Sequence, residues 1–275
     1  MISVTPVNDL NEPGISAYRS LKGKALERNG IFIAEGEKVV RALLKSKLRV
    51  ISALMTEKWY RKLRSEIEKK AKKGFQVYIA RQYEIEKIVG FRLHQGIMAT
   101  AKIPPKLSLK RASKLWNSPH LLVAVNGIRD PENAGLIVRN SVAFGVDTLI
   151  VDKKSCDPYL RRAVRVSIGA IFKLPVVYTD SLPDALNWLK QKFKTRIIAA
   201  APDPANQSLN KTGFSGDVCL VFGNEARGLS KDVVKIADSV VRIPMPGDLD
   251  SLNVSCASAV FLHRAAAKRQ VRRTR

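Results

Sequence analysis

In LLVAVNGIRDPENAGLIVRNSVAFGVDTLIVD, residues 121–152, two apolar runs flank a helical pattern. The runs are residues 121–126 and 148–152, and neither alternates apolar with polar side chains. Between them, residues 133–144 place apolar side chains at helical spacing. Unbroken apolar strands joined by a helix are typical of a parallel sheet covered on both faces. This stretch therefore predicts an α/β fold.

The same alternation continues on both sides of this stretch. Towards the C-terminus, strands are predicted at 172–178, 196–201, 217–223 and 239–245, and helices at about 157–167, 182–193, 230–237 and from about 251. Towards the N-terminus, strands are predicted at 31–36, 50–56, 75–80 and 96–103, and helices at 15–29, 37–47, 58–74 and 81–90. The sequence thus predicts two α/β domains.

The pattern is broken by residues 104–118, which contain two adjacent prolines and several basic residues. Prolines and charges in such a run indicate a linker. We therefore predict an N-terminal domain at 1–103, a linker at 104–118 and a C-terminal domain at 119–275.

Net charge is the most informative feature of the composition. The chain has 48 Lys and Arg against 24 Asp and Glu, which gives a formal net charge of +24. A protein this basic is typical of those that bind a polyanion, nucleic acid first. The alternative is a basic surface kept for solubility, although acidic residues serve solubility better.

Several other classes of protein are disfavoured. No apolar run reaches 18 residues, and MISVTPVNDLNEPG lacks the features of a signal peptide, so we expect a cytoplasmic protein without a membrane span. The three cysteines are far apart and form no CxxC pair, which argues against a disulfide framework. The histidines lack metal-site spacing, so we expect no metal.

Ligands of an open parallel sheet bind at the carboxyl ends of its strands. Neither GxGxxG nor GxxxxGK[ST] is present there. The loop after the strand at 121–126 instead leads to Asn133, expected to cap a helix beginning at Ala134. Arg139 follows as a basic residue on an otherwise apolar helix. A rim arginine that reaches to water is the alternative interpretation.

Two further strand ends carry polar residues. The strand in VFGNEARGLS, residues 221–230, leads into a glycine-flanked turn that contains Glu225. IPMPGDLDSLNVSCASA, residues 243–259, places Ser251 and Asn253 at a helix start, followed by small residues that permit close approach of a ligand or another backbone. Tight helix–sheet packing is the alternative, but it does not account for Ser251 and Asn253.

DPENAG followed by Arg139, then GNEARGLS, then IPMPGDLDSLNVSCASA resemble, in that order, the three motifs of the SpoU (TrmH-like) family of the SPOUT superfamily. The segment AVRVSIGAIFKLPV, residues 163–176, is similar to the family's region between the first two motifs. IFIAEGEKVVRALL and HQGIMATA in the N-terminal half resemble its L30e-like substrate-binding domain. The resemblance covers nearly the whole chain and implies an S-adenosylmethionine-dependent RNA ribose 2′-O-methyltransferase.

The resemblance also implies a fold, an assembly and a set of site residues. The fold is a parallel sheet with a deep trefoil knot, an exception to the rule against threaded chains, and the assembly is a homodimer. Arg139 is implied as the central catalytic residue, with Asn133, Glu225, Ser251 and Asn253 as companions. The residues implied to bind the methyl donor are Ala200, Gly223, Ile243, Met245 and Leu252.

The role of Arg139 has two interpretations. In the family this arginine is proposed to activate the hydroxyl. A guanidinium keeps its proton at neutral pH, so it would instead hold an RNA phosphate and stabilise the developing alkoxide. Glu225 is then expected to orient the arginine or the RNA.

Alternative functions differ in class. A catalytically silent RNA-binding or ribosome-assembly protein of the same fold would be expected to lose Arg139, Glu225 or Asn253, and all three are present. A base methyltransferase would carry different motifs. The L30e-like domain favours large-subunit, 23S-type rRNA as the substrate, with tRNA second, because such domains suit kinked or looped RNA.

Overall fold

A computed structural model describes residues 3–19, 30–70, 75–90, 92–93, 95–203, 205–247 and 249–273. The chain forms two compact units. Unit 1 comprises Met1–Pro105 and Tyr159–Lys173, and unit 2 comprises Lys106–Pro158 and Leu174–Arg275.

The strands and helices of the described residues follow in chain order. The strands are β1 (Ser3–Pro6), β2 (Ile31–Glu35), β3 (Val50–Met55), β4 (Gln76–Ile79), β5 (Ile97–Lys102), β6 (Leu121–Asn126), β7 (Thr148–Asp152), β8 (Val176–Thr179), β9 (Arg196–Ala200), β10 (Gln207–Ser208), β11 (Val218–Gly223) and β12 (Ser239–Arg242). The α-helices are α1 (Ser16–Arg19), α2 (Glu37–Lys45), α3 (Glu57–Lys70), α4 (Gln82–Val89), α5 (Leu109–Ala112), α6 (Pro131–Ala143), α7 (Arg161–Val166), α8 (Leu182–Phe193), α9 (Lys231–Ile236) and α10 (Val254–Arg273).

Unit 1 contains a five-stranded mixed sheet in the order β1-β4-β3-β5-β2. β1, β4 and β3 run parallel to one another, whereas β5 is antiparallel to both of its neighbours. The predicted strands and helices of this half recur with small shifts at their ends. Of the helix predicted at 15–29, residues 20–29 lie outside the described residues, as do residues 71–74 of the helix predicted at 58–74.

A segment distant in sequence completes unit 1. Phe32 on β2 packs against the rings of Tyr159 and Phe172, at centroid distances of 5.3 and 5.4 Å. Glu35 at the end of β2 is buried, and its carboxylate accepts hydrogen bonds from Arg161 at 2.7 Å and Arg165 at 3.3 Å. Residues 159–173, predicted from sequence to lie in the C-terminal domain, therefore form part of the N-terminal unit.

Unit 2 contains a seven-stranded sheet in the order β10-β12-β9-β11-β6-β7-β8, and every pairing in it is parallel. One face buries apolar side chains of α8, whose Leu182, Leu186 and Leu189 are all less than 3% exposed. The other face carries α6 and α10, and Phe222 of β11 meets Phe261 of α10 edge-on at 5.9 Å. The predicted α/β class is confirmed, while the knot stays a prediction.

The segment predicted as a linker is structured. It forms α5 and a 3-10 turn at Ser113–Leu115, and Leu107 bridges to Val177. Ala112 is buried in the core of unit 2, and Trp116 packs against the same core and donates a hydrogen bond to Thr148 at 2.8 Å. Because apolar residues lie between its lysines, this segment packs against the core of unit 2. No helix of the described residues is long and apolar enough to cross a membrane.

Candidate functional site

A cavity of about 390 Å³ lies at the carboxyl ends of β9, β11 and β12 in unit 2. The start of α10 and the loop before it close one side. The sequence-predicted residues in its wall are Ala200, Gly223, Ile243, Met245 and Leu252, together with Glu225, Ser251 and Asn253. One small volume thus brings together residues from three separate strands and a helix start.

The wall of this cavity is apolar in its inner part and carries polar groups elsewhere. Phe222, Val241 and Phe261 form its inner part, and Ile243 and Met245 are half-buried along its side. β12 ends at Arg242 and α10 begins at Val254, so the described residues between them form no helix or strand. The carbonyl of Asn253 accepts a hydrogen bond from the N–H of Ala257, and the other described backbone groups of this segment are available to other partners, a ligand among them.

Gly223 is required by the chain itself. A Cβ at this position would lie 2.5 Å from the carbonyl carbon of Gly228 and 2.6 Å from the nitrogen of Leu229. The family resemblance implies that Gly223 binds the methyl donor, for which a residue without a side chain would leave room. The structure shows that the returning backbone of the turn fills that room.

Asn224 closes the turn that holds Glu225. Its side chain accepts hydrogen bonds from the backbone N–H groups of Ala226 and Arg227 and donates one to the carbonyl of Gly127 at 2.7 Å. The backbone groups of Asn224 and Gly228 also exchange two hydrogen bonds of 2.9 Å. Hydrogen bonds within the turn and to the loop after β6 thereby fix its conformation and position.

The carboxylate of Glu225 is held by groups from the start of α6. It accepts hydrogen bonds from Asn133 Nδ2 at 3.0 Å and from the backbone N–H groups of Asp130 at 3.2 Å and Arg129 at 3.4 Å. Partial burial raises the pKa of Glu225, but these hydrogen bonds outweigh it, and the net pKa lies below the ordinary value. Glu225 is therefore ionised at neutral pH.

Asn133 does not cap α6. The helix begins at Pro131, and its cap is Asp130, whose side chain accepts a hydrogen bond from the N–H of Glu132 at 2.9 Å. Proline at the first helical position suits this start, because its missing N–H has no helical partner to lose. Asn133 is buried in the first turn instead, where its amide contacts Glu225.

Asn253, and not Ser251, caps α10. Its side-chain oxygen accepts hydrogen bonds from the backbone N–H of Ser255 at 2.8 Å and from the Ser255 hydroxyl at 2.6 Å. The small residues that follow have a packing role, since Asn140 of α6 donates to the Ser255 carbonyl and the Ser258 hydroxyl, both at 2.9 Å. Ser251 is exposed at the cavity.

Arg139 lies apart from the cavity. It is exposed on α6 and is not among the residues of the cavity wall. Within the described part of the chain, its guanidinium makes no hydrogen bond or ion pair that fixes it in place. The structure thus connects Asn133 to the cavity through Glu225 but does not bring Arg139 to it.

Sequence reasoning missed two polar residues that shape the same edge of the sheet. Asn126 ends β6 and contacts the Asp152 carboxylate at 3.0 Å and the backbone N–H of Ser230 at 2.8 Å. Asp152 ends β7 and also accepts hydrogen bonds from Gly127 and Ser155. The sequence could have indicated both residues, because each is the polar residue that ends an apolar strand, where ligands of a parallel sheet bind.

Comparison with known sequences matches two regions of the chain. The profile of the SpoU rRNA methylase family matches residues 120–263. That of the RNA 2′-O ribose methyltransferase substrate-binding domain matches residues 33–107. A 23S rRNA (guanosine-2′-O-)-methyltransferase RlmB of Acinetobacter baylyi is 31% identical over 198 residues, covering 71% of this chain and 80% of that protein.

Solved structures resemble the whole chain. An AdoMet-bound rRNA methyltransferase from Sinorhizobium meliloti shares the fold, with a TM-score of 0.80 and 24% identity over 96% of this chain and 98% of that one. A structure described as an RNA 2′-O ribose methyltransferase has a TM-score of 0.74 and 26% identity, and covers 98% of this chain and 100% of that one. The family resemblance drawn from the three motifs is confirmed, and the chain belongs to the SpoU rRNA methylase family.

Proposed function

We propose that this protein transfers the methyl group of S-adenosylmethionine to a ribose 2′-hydroxyl of RNA, with 23S rRNA as the substrate. The observation that carries the proposal is that a cavity with an apolar inner wall lies beside the fixed carboxylate of Glu225 at one edge of the parallel sheet. The RlmB relatives, which are 23S rRNA guanosine-2′-O-methyltransferases by name, support the choice of RNA.

The cavity suits this methyl donor in size and chemistry. Its volume of about 390 Å³ lies within the ~300–1,000 Å³ range of small-molecule sites. Apolar side chains such as Ile243, Met245 and Leu252 suit the faces of an adenine ring, and the backbone groups beyond β12 suit its polar edge. When bound, the donor supplies a methyl group on a sulfonium, which is a good leaving group.

Glu225 is proposed to position the site instead of taking the proton of the hydroxyl. A carboxylate with a lowered pKa is a weak base at neutral pH. Its oxygens already accept hydrogen bonds from Asn133, Asp130 and Arg129. It therefore fixes the loop at the start of α6 relative to the cavity wall.

Arg139 is proposed to act on the RNA. Its exposed guanidinium is free to contact a phosphate, and a fixed positive charge stabilises an oxygen that becomes negative as its proton leaves to water. Such a role needs no change in the protonation of arginine.

The protein is further proposed to act as a homodimer. Leu249, Leu252 and Val260 are 72%, 39% and 40% exposed at and before α10, which packs against the helix of Arg139. A second copy over this surface would bury these side chains and lie close to α6. Sedimentation of the full chain tests this, and a dimer that Val260→Asp converts to a monomer is the expected result. A wild-type monomer at working concentration contradicts it.

The function is tested by incubating the full chain with methyl-labelled S-adenosylmethionine and unmodified transcripts of 23S rRNA, 16S rRNA and tRNA. We expect label in 23S rRNA at one ribose, recognised by a phosphodiester bond that resists alkali. Label on a base would overturn the ribose assignment, and label in tRNA alone would overturn the choice of RNA. Donor binding without transfer to any RNA favours the catalytically silent alternative.

A further inference from the structure

A second cavity lies on the other side of the turn that holds Glu225. This cleft of about 520 Å³ is formed by the loops after β6, β7 and β11 of unit 2. Its wall contains Asn126, Gly127, Arg129, Lys154 and residues 224–230. It shares Asn224, Glu225, Ala226 and Gly228 with the wall of the donor cavity, so the same turn separates two binding volumes.

Three cations surround this cleft. Arg129, Lys154 and Arg227 are exposed and come from three different loops. Within the described ranges, none of their charged groups takes part in a hydrogen bond or ion pair. Converging positive charges without acidic partners form a site for an anion.

The acidic groups near the cleft are occupied. Glu225, the one carboxylate among the residues of its wall, accepts hydrogen bonds from the loop at residues 129–130 and from Asn133. Asp152, behind the wall, is 6% exposed and contacts Asn126, Gly127 and Ser155. Asp130, next to Arg129 in sequence, accepts a hydrogen bond from the N–H of Glu132, and within the described residues none of these three carboxylates forms an ion pair with the three cations.

Resting on the function proposed above, we propose that this cleft holds the phosphodiester backbone of the acceptor RNA beside the ribose that is methylated. Arg129, Lys154 and Arg227 contact its phosphates. An RNA strand in this cleft and a methyl donor in the neighbouring cavity would meet across the turn of Glu225. The phosphate contacts in the cleft would thus fix the position of the RNA strand, so that one ribose, and not its neighbours, faces the donor.

The test compares two variants of the full chain that each lose three positive charges. The cleft variant carries Arg129→Ala, Lys154→Ala and Arg227→Ala. The control variant carries Lys192→Ala, Lys211→Ala and Lys235→Ala, which are exposed in unit 2 and outside both cavities. Binding to a 23S rRNA transcript is measured from 50 to 200 mM KCl, and S-adenosylmethionine affinity is measured by calorimetry.

The cleft variant is expected to bind the transcript at least about tenfold more weakly at 100 mM KCl. Its slope of log affinity against log salt should fall by about 2, because each phosphate contact on a single strand contributes about 0.7. The affinity of the control variant for the transcript should fall by less than about threefold. Both variants should bind the donor as the wild type does and unfold at the same temperature, because the replaced side chains are exposed.

Equal losses of RNA affinity in the two variants would overturn the proposal, since surface charge alone would then explain them. Weakened donor binding in the cleft variant would overturn it too, because the cleft would then hold the donor's carboxylate. If Arg227→Ala alone is used, a slope reduced by about 0.7 is expected, and an unchanged slope counts against the cleft.

The two proposals fail in different ways. A wild-type protein that methylates no RNA, with a cleft variant that still loses RNA affinity selectively, contradicts the proposed function but supports the cleft. Active wild type with a cleft variant that has wild-type KM for the transcript contradicts the cleft alone. If both proposals hold, the cleft variant shows a raised KM for RNA with a smaller change in kcat.

Discussion

Asn133 donates a hydrogen bond from Nδ2 to Oε1 of Glu225 across 3.0 Å, although 92 residues separate them in sequence. This bond joins the first turn of α6 to the turn after β11. It also gives a reason for an acidic residue in this turn of a strongly basic protein. The carboxylate gathers the N–H donors at the start of a helix, where the helix dipole favours a negative charge.

Replacement of Arg139 by Ala is expected to lower turnover by orders of magnitude and leave donor affinity nearly unchanged. Donor affinity should be unchanged because Arg139 lies outside the wall of the donor cavity, whereas turnover should fall because the positive charge proposed to stabilise the attacking oxygen is lost. Single-turnover methylation and calorimetric titration with S-adenosylmethionine measure the two quantities. Arg139→Lys, which retains the charge without the planar fork, should fall between wild type and Ala. Turnover of the Ala variant within about threefold of wild type would contradict the assignment.

Glu225→Gln should remove a pH-dependent part of the stability. A carboxylate whose pKa is lowered by folding stabilises the protein above its unfolded pKa of about 4.3, and this stabilisation is lost as the pH falls through the folded pKa. We therefore expect the wild type to unfold roughly 2 °C higher than the variant at pH 7, as for a hydrogen bond worth about 1 kcal/mol. The difference should vanish under acidic conditions. Thermal scans across pH 3–7 check this, and a gap that widens with acid would refute it.

Gly223→Ala is expected to destabilise the protein by about 1–3 kcal/mol, because its Cβ would collide with the backbone of Gly228 and Leu229. Donor affinity should fall with it, since Gly223 and Gly228 both line the cavity. Gly213→Ala is the matched control, because a Cβ there has no atom within 4 Å. Denaturant unfolding of both variants decides the point. Equal stability of the two would show that the turn can shift at little cost.

Glu35→Ala should destabilise unit 1 by roughly 2 kcal/mol, because it leaves Arg161 and Arg165 without their shared buried carboxylate. Glu68→Ala removes an ion pair with Arg64 in which both side chains are more than half exposed. That control should change stability by less than about 0.5 kcal/mol. Hydrogen exchange of the β2 amides measures the local effect. Similar exchange rates in both variants would argue that the ion pairs of Glu35 with Arg161 and Arg165 contribute little to the stability of unit 1.

The central strands were predictable, as were the edge strands β2 and β8, whereas the edge strands β1 and β10 were not. Long apolar runs such as β6 and β11 are buried on both faces, so their sequence alone indicates a parallel sheet. β1 and β10 are short edge strands with few buried side chains, and they leave no such signal. Within the candidate site, the motifs indicated residues that line the cavity at the ends of β9, β11 and β12, but what Gly223 and Asn253 contact emerged only in three dimensions.

One wrong prediction and one contact that the sequence did not predict have identifiable physical origins. Asp130 and Asn133 are both residue types that cap helices, and the proline between them was the feature that favours Asp130. The pairing of Glu35 with Arg161 spans 126 residues, and a chain with so many arginines gives no indication which of them a buried carboxylate will choose. Local pattern can assign a helix start, whereas long-range ion pairs depend on the completed fold.

Because Tyr159–Lys173 belongs to unit 1, the polypeptide passes between the two units three times, after residues 105, 158 and 173. A fragment that stops at Pro105 would leave Phe32 without Tyr159 and Phe172, and Glu35 without its arginines. Recombination at a single junction after Pro105 would therefore transfer an incomplete N-terminal unit. Any transfer of unit 1 into another protein would therefore have to include residues 159–173 as well as residues 1–105.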